Sequence, residues 1–391
     1  MSTTPSRLDE PRMHAWLVLD AVRTRAFFES IQRVVRPGDT VVDIGSGSGL
    51  LALFAAKAGA KKVYAIERSP SANLAIAHAV ANGVADVIEV VREEAADAFD
   101  PAHPKFLAGA RDARVIVGEI LGHFAPDEDM HRVFTAAKRV ARPDAVTVPQ
   151  SYALTLALAA HERTRADAAA LDDVHGISLV ALRRLLTSRP LVDTVRSSEL
   201  LGDEARTDTF AVAGPMPRTY RATFTASRAG AANAVVAGFD CMLDDRTRLS
   251  TAVDSAPTTW EQTVFPLDPP LDVVPGTAVT LTLEPRLVTE RATYRWRAET
   301  ATEVRTGDAM SGMLSEGNAD WLAELGLQLK APTTTTWTSS LDVLSSMLAG
   351  GPTDDVATLA ARALAAHPQR FADVDDARQE VLRLLRLLEI F

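Results

Sequence analysis

The sequence predicts an α/β protein: a doubly wound parallel sheet, then a mostly antiparallel β domain, then a small, mostly helical tail. Three observations carry this. Up to about residue 145, short apolar runs alternate with helix-period segments, and a glycine-rich turn follows the first run. From about residue 146 the segments alternate or are rich in β-branched and aromatic residues, with Pro and Gly between them. After about residue 303 helical spacing returns.

Residues 14–35 carry apolar positions at helical spacing before the break at Pro37-Gly38. Val41, Val42 and Ile44 make a buried strand, Gly45 to Gly49 a flexible turn, and Leu50 to Ala58 a helix ended by Gly59. Lys62 to Ile66 is the second strand and stops at Glu67. Residues 70–82 read as a helix, and 87–91 and 114–119 as further strands. In the second part YALTLAL, TYRATFTAS, AVVAGFDCML and ATYRWRAE are strand-like, the makings of a barrel or sandwich. One helical insert interrupts them at about 171–189. The tail predicts helices at Leu341–Leu348, Asp354–His367 and Asp375–Leu388.

Composition narrows the function classes. A chain of 391 residues suits two or three domains. A net charge of −10 leaves no electrostatic footprint for nucleic acid. No apolar stretch reaches membrane-spanning length, so no membrane partner is expected. Cys241 is the single cysteine, which excludes an intramolecular disulfide and a thiolate metal cluster, and the eight histidines lack metal-ligand spacing. No basic region followed by an apolar run opens the chain, and a cytoplasmic protein is expected.

Two stretches point to chemistry. Glycines after a first strand let the backbone approach a ligand, and an acidic end to the second strand can accept two ribose hydroxyls. Here Gly45, Gly47 and Gly49 follow Asp43, and Glu67 ends the second strand. Dinucleotide enzymes prefer G-x-G-x-x-G; G-x-G-x-G fits S-adenosylmethionine (SAM) better. The second stretch, GEILGHFAPDEDM at 118–130, places Glu119 and Glu128 nine apart with no Lys or Arg between them. That is either a solvated acidic loop or a pocket for a positively charged group.

DIGSGSGLLALFAAKAGAKKVYAIE resembles the first motif of the protein arginine methyltransferase family. Glu119, Glu128 and Met130 match that family's double-glutamate loop, and HAWLVLDAVRT is similar to its helix ahead of the sheet. TTWEQTVF at 258–265 is similar to its threonine-histidine-tryptophan loop, and GISLVALRRLLTSRPLVDTV falls where its dimerisation arm is inserted. The resemblance covers about residues 14–300. It implies a helical segment over 1–30, a Rossmann-like SAM-binding domain over 31–145, and a β-barrel over 146–302 with an arm at about 171–190 that makes a homodimer. It implies SAM as cofactor, with Arg23 on its carboxylate, Glu67 on its ribose, Glu94 nearest the adenine, and His14 and Met130 beside it. Glu119 and Glu128 would hold the acceptor nitrogen, with Asp20, Thr259 and Trp260 around the substrate.

The chain also departs from the family. Ile120, His123 and Asp127 stand where aromatics are expected, and Thr259 replaces the loop histidine that pairs with the aspartate, here Asp20. Ala95-Ala96 occupy the usual adenine positions, and only 13 residues precede His14, too few for the family's lid helix. A pocket with fewer flat walls and an added carboxylate and histidine suits a compact amine, with His123, Asp127 or either glutamate as base. The expected activity is therefore SAM-dependent N-methylation of a peptide or protein, leaning to an amine of a ribosomally made peptide natural product. Protein arginine is the first alternative; a small-molecule amine methyltransferase and a catalytically silent scaffold are the others. The tail, 303–391, is extra to the family core and resembles a winged-helix or peptide-recognition module.

Overall fold

The computed structural model describes residues 11–288, 291–309 and 356–368, with single positions at 371, 373, 374 and 377. The chain divides into two compact units, Met1–Leu314 and Ser315–Phe391.

The first unit opens with two helices, α1 (Pro11–Leu19) and α2 (Ala21–Val34), where one was expected. Asp20 breaks them: its backbone is extended (φ −66°, ψ 97°) and its Oδ1 accepts the Arg23 amide at 2.9 Å, an N-cap. Five strands follow: β1 (Thr40–Ile44), β2 (Lys62–Ile66), β3 (Ile88–Val91), β4 (Ala113–Gly118) and β5 (Val146–Val148). They form one parallel sheet in the order β3-β2-β1-β4-β5. Their unbroken apolar runs are explained by burial on both faces; every residue of β1 is buried. β5 lies past the boundary drawn at residue 145, because a parallel partner for β4 is reached only there.

Between the strands lie α3 (Leu50–Lys57), α4 (Ala72–Ala81), α5 (Ala95–Ala98) and α6 (Met130–Val140). The chain steps outward from β1 to β3 and then returns to β4. Right-handed crossovers therefore put α3 and α4 on one face and α5 and α6 on the other.

The rest of this unit is antiparallel. One sheet runs β7 (Leu191–Asp193), β13 (Gln262–Val273), β11 (Gly230–Met242), β6 (Ser151–Ala159), β8 (Ala205–Arg206), with β12 (Arg248–Ser250) on β11 and β9 (Phe210–Ala211) on β6. The other runs β10 (Tyr220–Thr225), β14 (Ala278–Val288), β15 (Arg291–Glu299), β16 (Val304–Asp308). Aromatic rings from both sheets share one core: Phe265 packs on Trp296 at 5.3 Å, and the Trp296 Nε1–H donates to the Pro266 carbonyl at 2.7 Å. β16 pairs with β15, so residues 304–308 belong to this sheet and not to a helical tail starting at 303.

The helical insert is a hairpin of α7 (Glu162–Asp172) and α8 (Val180–Thr187), beginning ahead of the expected 171. Its tip and second helix leave Ile177, Val180, Leu182 and Leu186 exposed. In the second unit α9 (Val356–Ala366) lies within the expected 354–367 helix. The helix expected at 341–348 and, apart from Ala377, the one expected at 375–388 fall outside the described residues. No described helix is long and apolar enough to cross a membrane.

Candidate active site

The glycine turn closes over β1 as a cradle. Gly47 (φ 53°) lies under His14, whose ring carbon would be 3.4 Å from an added Cβ. Gly49 (φ 82°) starts α3 so close to α4 that a Cβ would stand 2.9 Å from the Ala75 backbone, so only glycine fits. His14 Nε2 and Ser71 Oγ are 2.7 Å apart, which ties α1 to the start of α4 across the turn.

Asp43 braces the cradle from below. Its Oδ2 accepts Ser46 Oγ–H at 2.8 Å and the Ala52 amide at 3.0 Å, while Oδ1 is buried without a partner among the described residues. Complete burial pushes its carboxyl up to about 7, against the pull of the Ser46 and Ala52 bonds; the nearby Glu67 charge adds to the rise. Glu67 accepts the Gly47 amide at 2.8 Å and the Ser69 amide at 2.7 Å, which fixes it at the rim. Glu94 precedes α5 and pairs with Arg68 at 2.8 Å.

The loop from β4 to α6 carries the acidic residues. Glu119 sits at its start, nearly buried, in an ion pair with Arg23 Nη2. Arg23 Nη1 donates to the Leu17 carbonyl at 2.8 Å, its guanidinium stands 5.6 Å from the Trp260 ring, and its Nε is buried without a partner among the described residues. Glu128 ends a 3₁₀ turn, Pro126–Glu128, and is exposed. Asp127 belongs to the same turn. Ala125 holds φ 72°, ψ −69°, and Asp129 φ 58°, conformations that L-residues seldom adopt.

Three contacts hold this loop on the antiparallel sheets. His123 Nδ1 faces the Trp260 carbonyl at 3.4 Å, on an otherwise exposed side chain. The Phe124 ring packs edge-on against Tyr294 at 4.5 Å and Phe265 at 5.5 Å. At the start of α6, buried His131 has Nδ1 3.1 Å from the Gly214 carbonyl and Nε2 2.8 Å from the Tyr152 hydroxyl, which lies 2.6 Å from that of Tyr220. Burial holds His131 below its ordinary pKa, so it is neutral, with Nδ1–H donating to the carbonyl and Nε2 accepting from Tyr152.

Several sequence expectations change here. Met130 is fully buried at the first position of α6 and packs in the core. Asp20 and Thr259, expected around the substrate, satisfy each other instead: Asp20 Oδ2 accepts the Thr259 amide at 2.7 Å and its hydroxyl at 3.0 Å. Trp260 is buried against Phe239 and Arg23 as the anchor of its loop. His131, Ser46 and Ser71 were not singled out in the sequence, since nothing in their spacing marks them. Among the described residues no group of His, Cys, Asp and Glu could hold a metal ion.

Comparison with known proteins bears on this arrangement. Residues 156–294 match the family model described as the arginine methyltransferase oligomerization subdomain. Residues 23–127 match that of ribosomal protein L11 methyltransferase. A probable protein arginine N-methyltransferase 1.2 of Arabidopsis thaliana is 30% identical over 279 residues, covering 68% of this chain and 74% of its own. An arginine N(omega)-methyltransferase of Streptomyces achromogenes subsp. streptozoticus is 30% identical over 286 residues, covering 71% and 77%. In fold, the chain is similar to the Trypanosoma brucei PRMT1 enzyme–prozyme heterotetrameric complex with AdoHcy (TM-score 0.69, 24% identity, 78% of this chain and 98% of that one). It is also similar to Arabidopsis thaliana protein arginine methyltransferase 10 (TM-score 0.64, 20% identity, 77% and 99%).

Proposed function

Because the chain belongs to the protein arginine N-methyltransferase family, we propose that it methylates the guanidinium nitrogen of an arginine side chain in a protein or peptide. The class of activity, SAM-dependent N-methyl transfer, goes with the family. The residues of this chain suit the cofactor. Gly47 and Gly49 leave a side-chain-free cradle, Glu67 stands at its rim, and the unpartnered Arg23 Nε is a buried donor that a carboxylate would satisfy. When bound, SAM supplies an electrophilic methyl group on a sulfonium.

One observation carries the guanidinium reading: Glu119 already accepts a guanidinium, that of Arg23, beside the face of Trp260. A carboxylate this little exposed, already facing one guanidinium, suits a planar cation. Glu119 and Glu128 together would hold the acceptor and polarise one nitrogen, and positioning supplies most of the rate. An amine would first have to lose a proton. His123, one of the bases expected for that reaction, has its Nδ1 on the Trp260 carbonyl. The Streptomyces relative named for arginine itself also favours guanidinium over amine. The exposed apolar residues of the α7–α8 hairpin and the oligomerization-subdomain match support a homodimer through that arm.

The test separates binding from turnover. Calorimetry with SAM and single-turnover methylation of an arginine peptide are run on the wild type, Glu119→Gln and Glu128→Gln. Both variants are expected to bind SAM and to lose turnover by roughly 10²- to 10³-fold. Full rate in Glu128→Gln, which leaves the Arg23 pair intact, would remove the loop from the acceptor site.

A further inference from the structure

A groove of about 720 Å³ lies on the face of the parallel sheet covered by α5 and α6, with Ala96 of α5 among its lining residues. Its origin is local. α5 has only four residues, and the chain beyond it runs irregularly until a 3₁₀ turn at Ala108–Asp112. The layer opposite α6 is therefore thin, and a channel is left beside that helix.

The floor is apolar: buried Phe99 and Val133 with half-buried Val140. The rim is basic, with Arg111, Arg132 and Arg139 against a single acid, Asp100. Arg132 pairs with Asp129, and Arg111 lies 4.9 Å from the Phe106 ring. Among the described residues neither Arg111 nor Arg139 has a carboxylate partner.

An apolar floor edged by unpaired guanidinium groups is complementary to an acidic peptide stretch that also carries apolar side chains. A nucleic-acid strand fits less well, since the whole chain carries −10. The groove is joined to the acceptor loop by α6: Arg132 lies in the first turn of that helix, which follows the Pro126–Glu128 turn, and Arg139 is about 10 Å further along it. A peptide chain can reach both places.

We propose that this groove binds an acidic, apolar-containing stretch of the same peptide or protein whose arginine is methylated, so that the enzyme recognises its substrate at two points. The proposal rests on the arginine reading above for the identity of the peptide, but binding can be measured without it.

The experiment uses the full chain and the double variant Arg111→Glu/Arg139→Glu, both exposed positions. Two peptides share one target arginine; one continues into an Asp/Glu/Leu-rich stretch, the other into Ser/Gly. Methylation should show a KM about tenfold lower for the acidic peptide, with kcat equal for the two. The double variant should lose that advantage and treat the Ser/Gly peptide as the wild type does. In parallel, fluorescence anisotropy follows a labelled acidic peptide in which the target arginine is replaced by Met. Its binding should weaken about tenfold in the variant and with added salt. If no peptide is methylated but the labelled peptide binds and the variant weakens it, the groove stands and the arginine reading fails. Equal anisotropy for wild type and variant would overturn the groove, as would equal KM for the two peptides. Displacement of the labelled peptide by an oligonucleotide at lower concentration than by unlabelled peptide would overturn the peptide assignment.

Discussion

Arg23 and Glu119, 96 residues apart in the chain, meet as an ion pair with side chains only 11% and 12% exposed. The pair joins α2 to the end of β4 and, on the proposed reading, would join the cofactor side of the site to the acceptor side. Removing Arg23 would leave a nearly buried carboxylate without its cation. Arg23→Met is expected to lower stability by about 2–3 kcal/mol and to weaken SAM binding, measured by urea unfolding and calorimetry. Unchanged SAM affinity would mean that Arg23 serves Glu119 alone.

Asp43 gives the protein a pH dependence of unusual sign for a carboxylate. Its folded pKa, about 7, lies above its ordinary value of 3.8, so folding favours the protonated form. Its contribution is fully present below about 3.8 and is lost as pH rises through about 7. Asp43→Asn keeps an acceptor for Ser46 and Ala52 and removes the buried charge. Without SAM, the variant's Tm relative to wild type should rise between about pH 5 and about pH 8. A pH-independent difference would show that Asp43 does not titrate in this range.

The Asp20–Thr259 contact should act through Arg23. Asp20 accepts three hydrogen bonds, from the Arg23 amide and from the Thr259 amide and hydroxyl, so one carboxylate caps α2 and holds the Trp260 loop. Thr259→Val removes one bond and is expected to cost about 1 kcal/mol with little change in turnover. Asp20→Ala removes all three and is expected to cost about 2–3 kcal/mol and to raise the KM for SAM. Equal effects of the two changes on KM would separate the clamp from Arg23 placement.

The parallel sheet was legible because its signals are local: apolar runs, a glycine turn and an acidic strand end. The break at Asp20 was not, since apolar spacing continues across it without Gly or Pro and the cap forms only once the Thr259 loop arrives from 239 residues away. The start of α7 was missed because ERTRADAAA carries no apolar stripe. β5 has only three residues and is defined by its partner β4. In the site, the cradle and both loop glutamates could be read from spacing and resemblance. The buried chain from His131 through Tyr152 to Tyr220 could not, because its members come from α6, β6 and β10.

The central claim is that the acceptor is a guanidinium nitrogen, and locating the transferred methyl tests it most directly. The enzyme is incubated with isotopically labelled SAM and two peptide pools, one arginine-rich, the other with free amines and no arginine. Fragmentation mass spectrometry then assigns the label to an atom. The account predicts label on guanidinium nitrogen in the first pool and none in the second. Label on an amine would contradict it, and would make His123 and Asp127 the residues to test next.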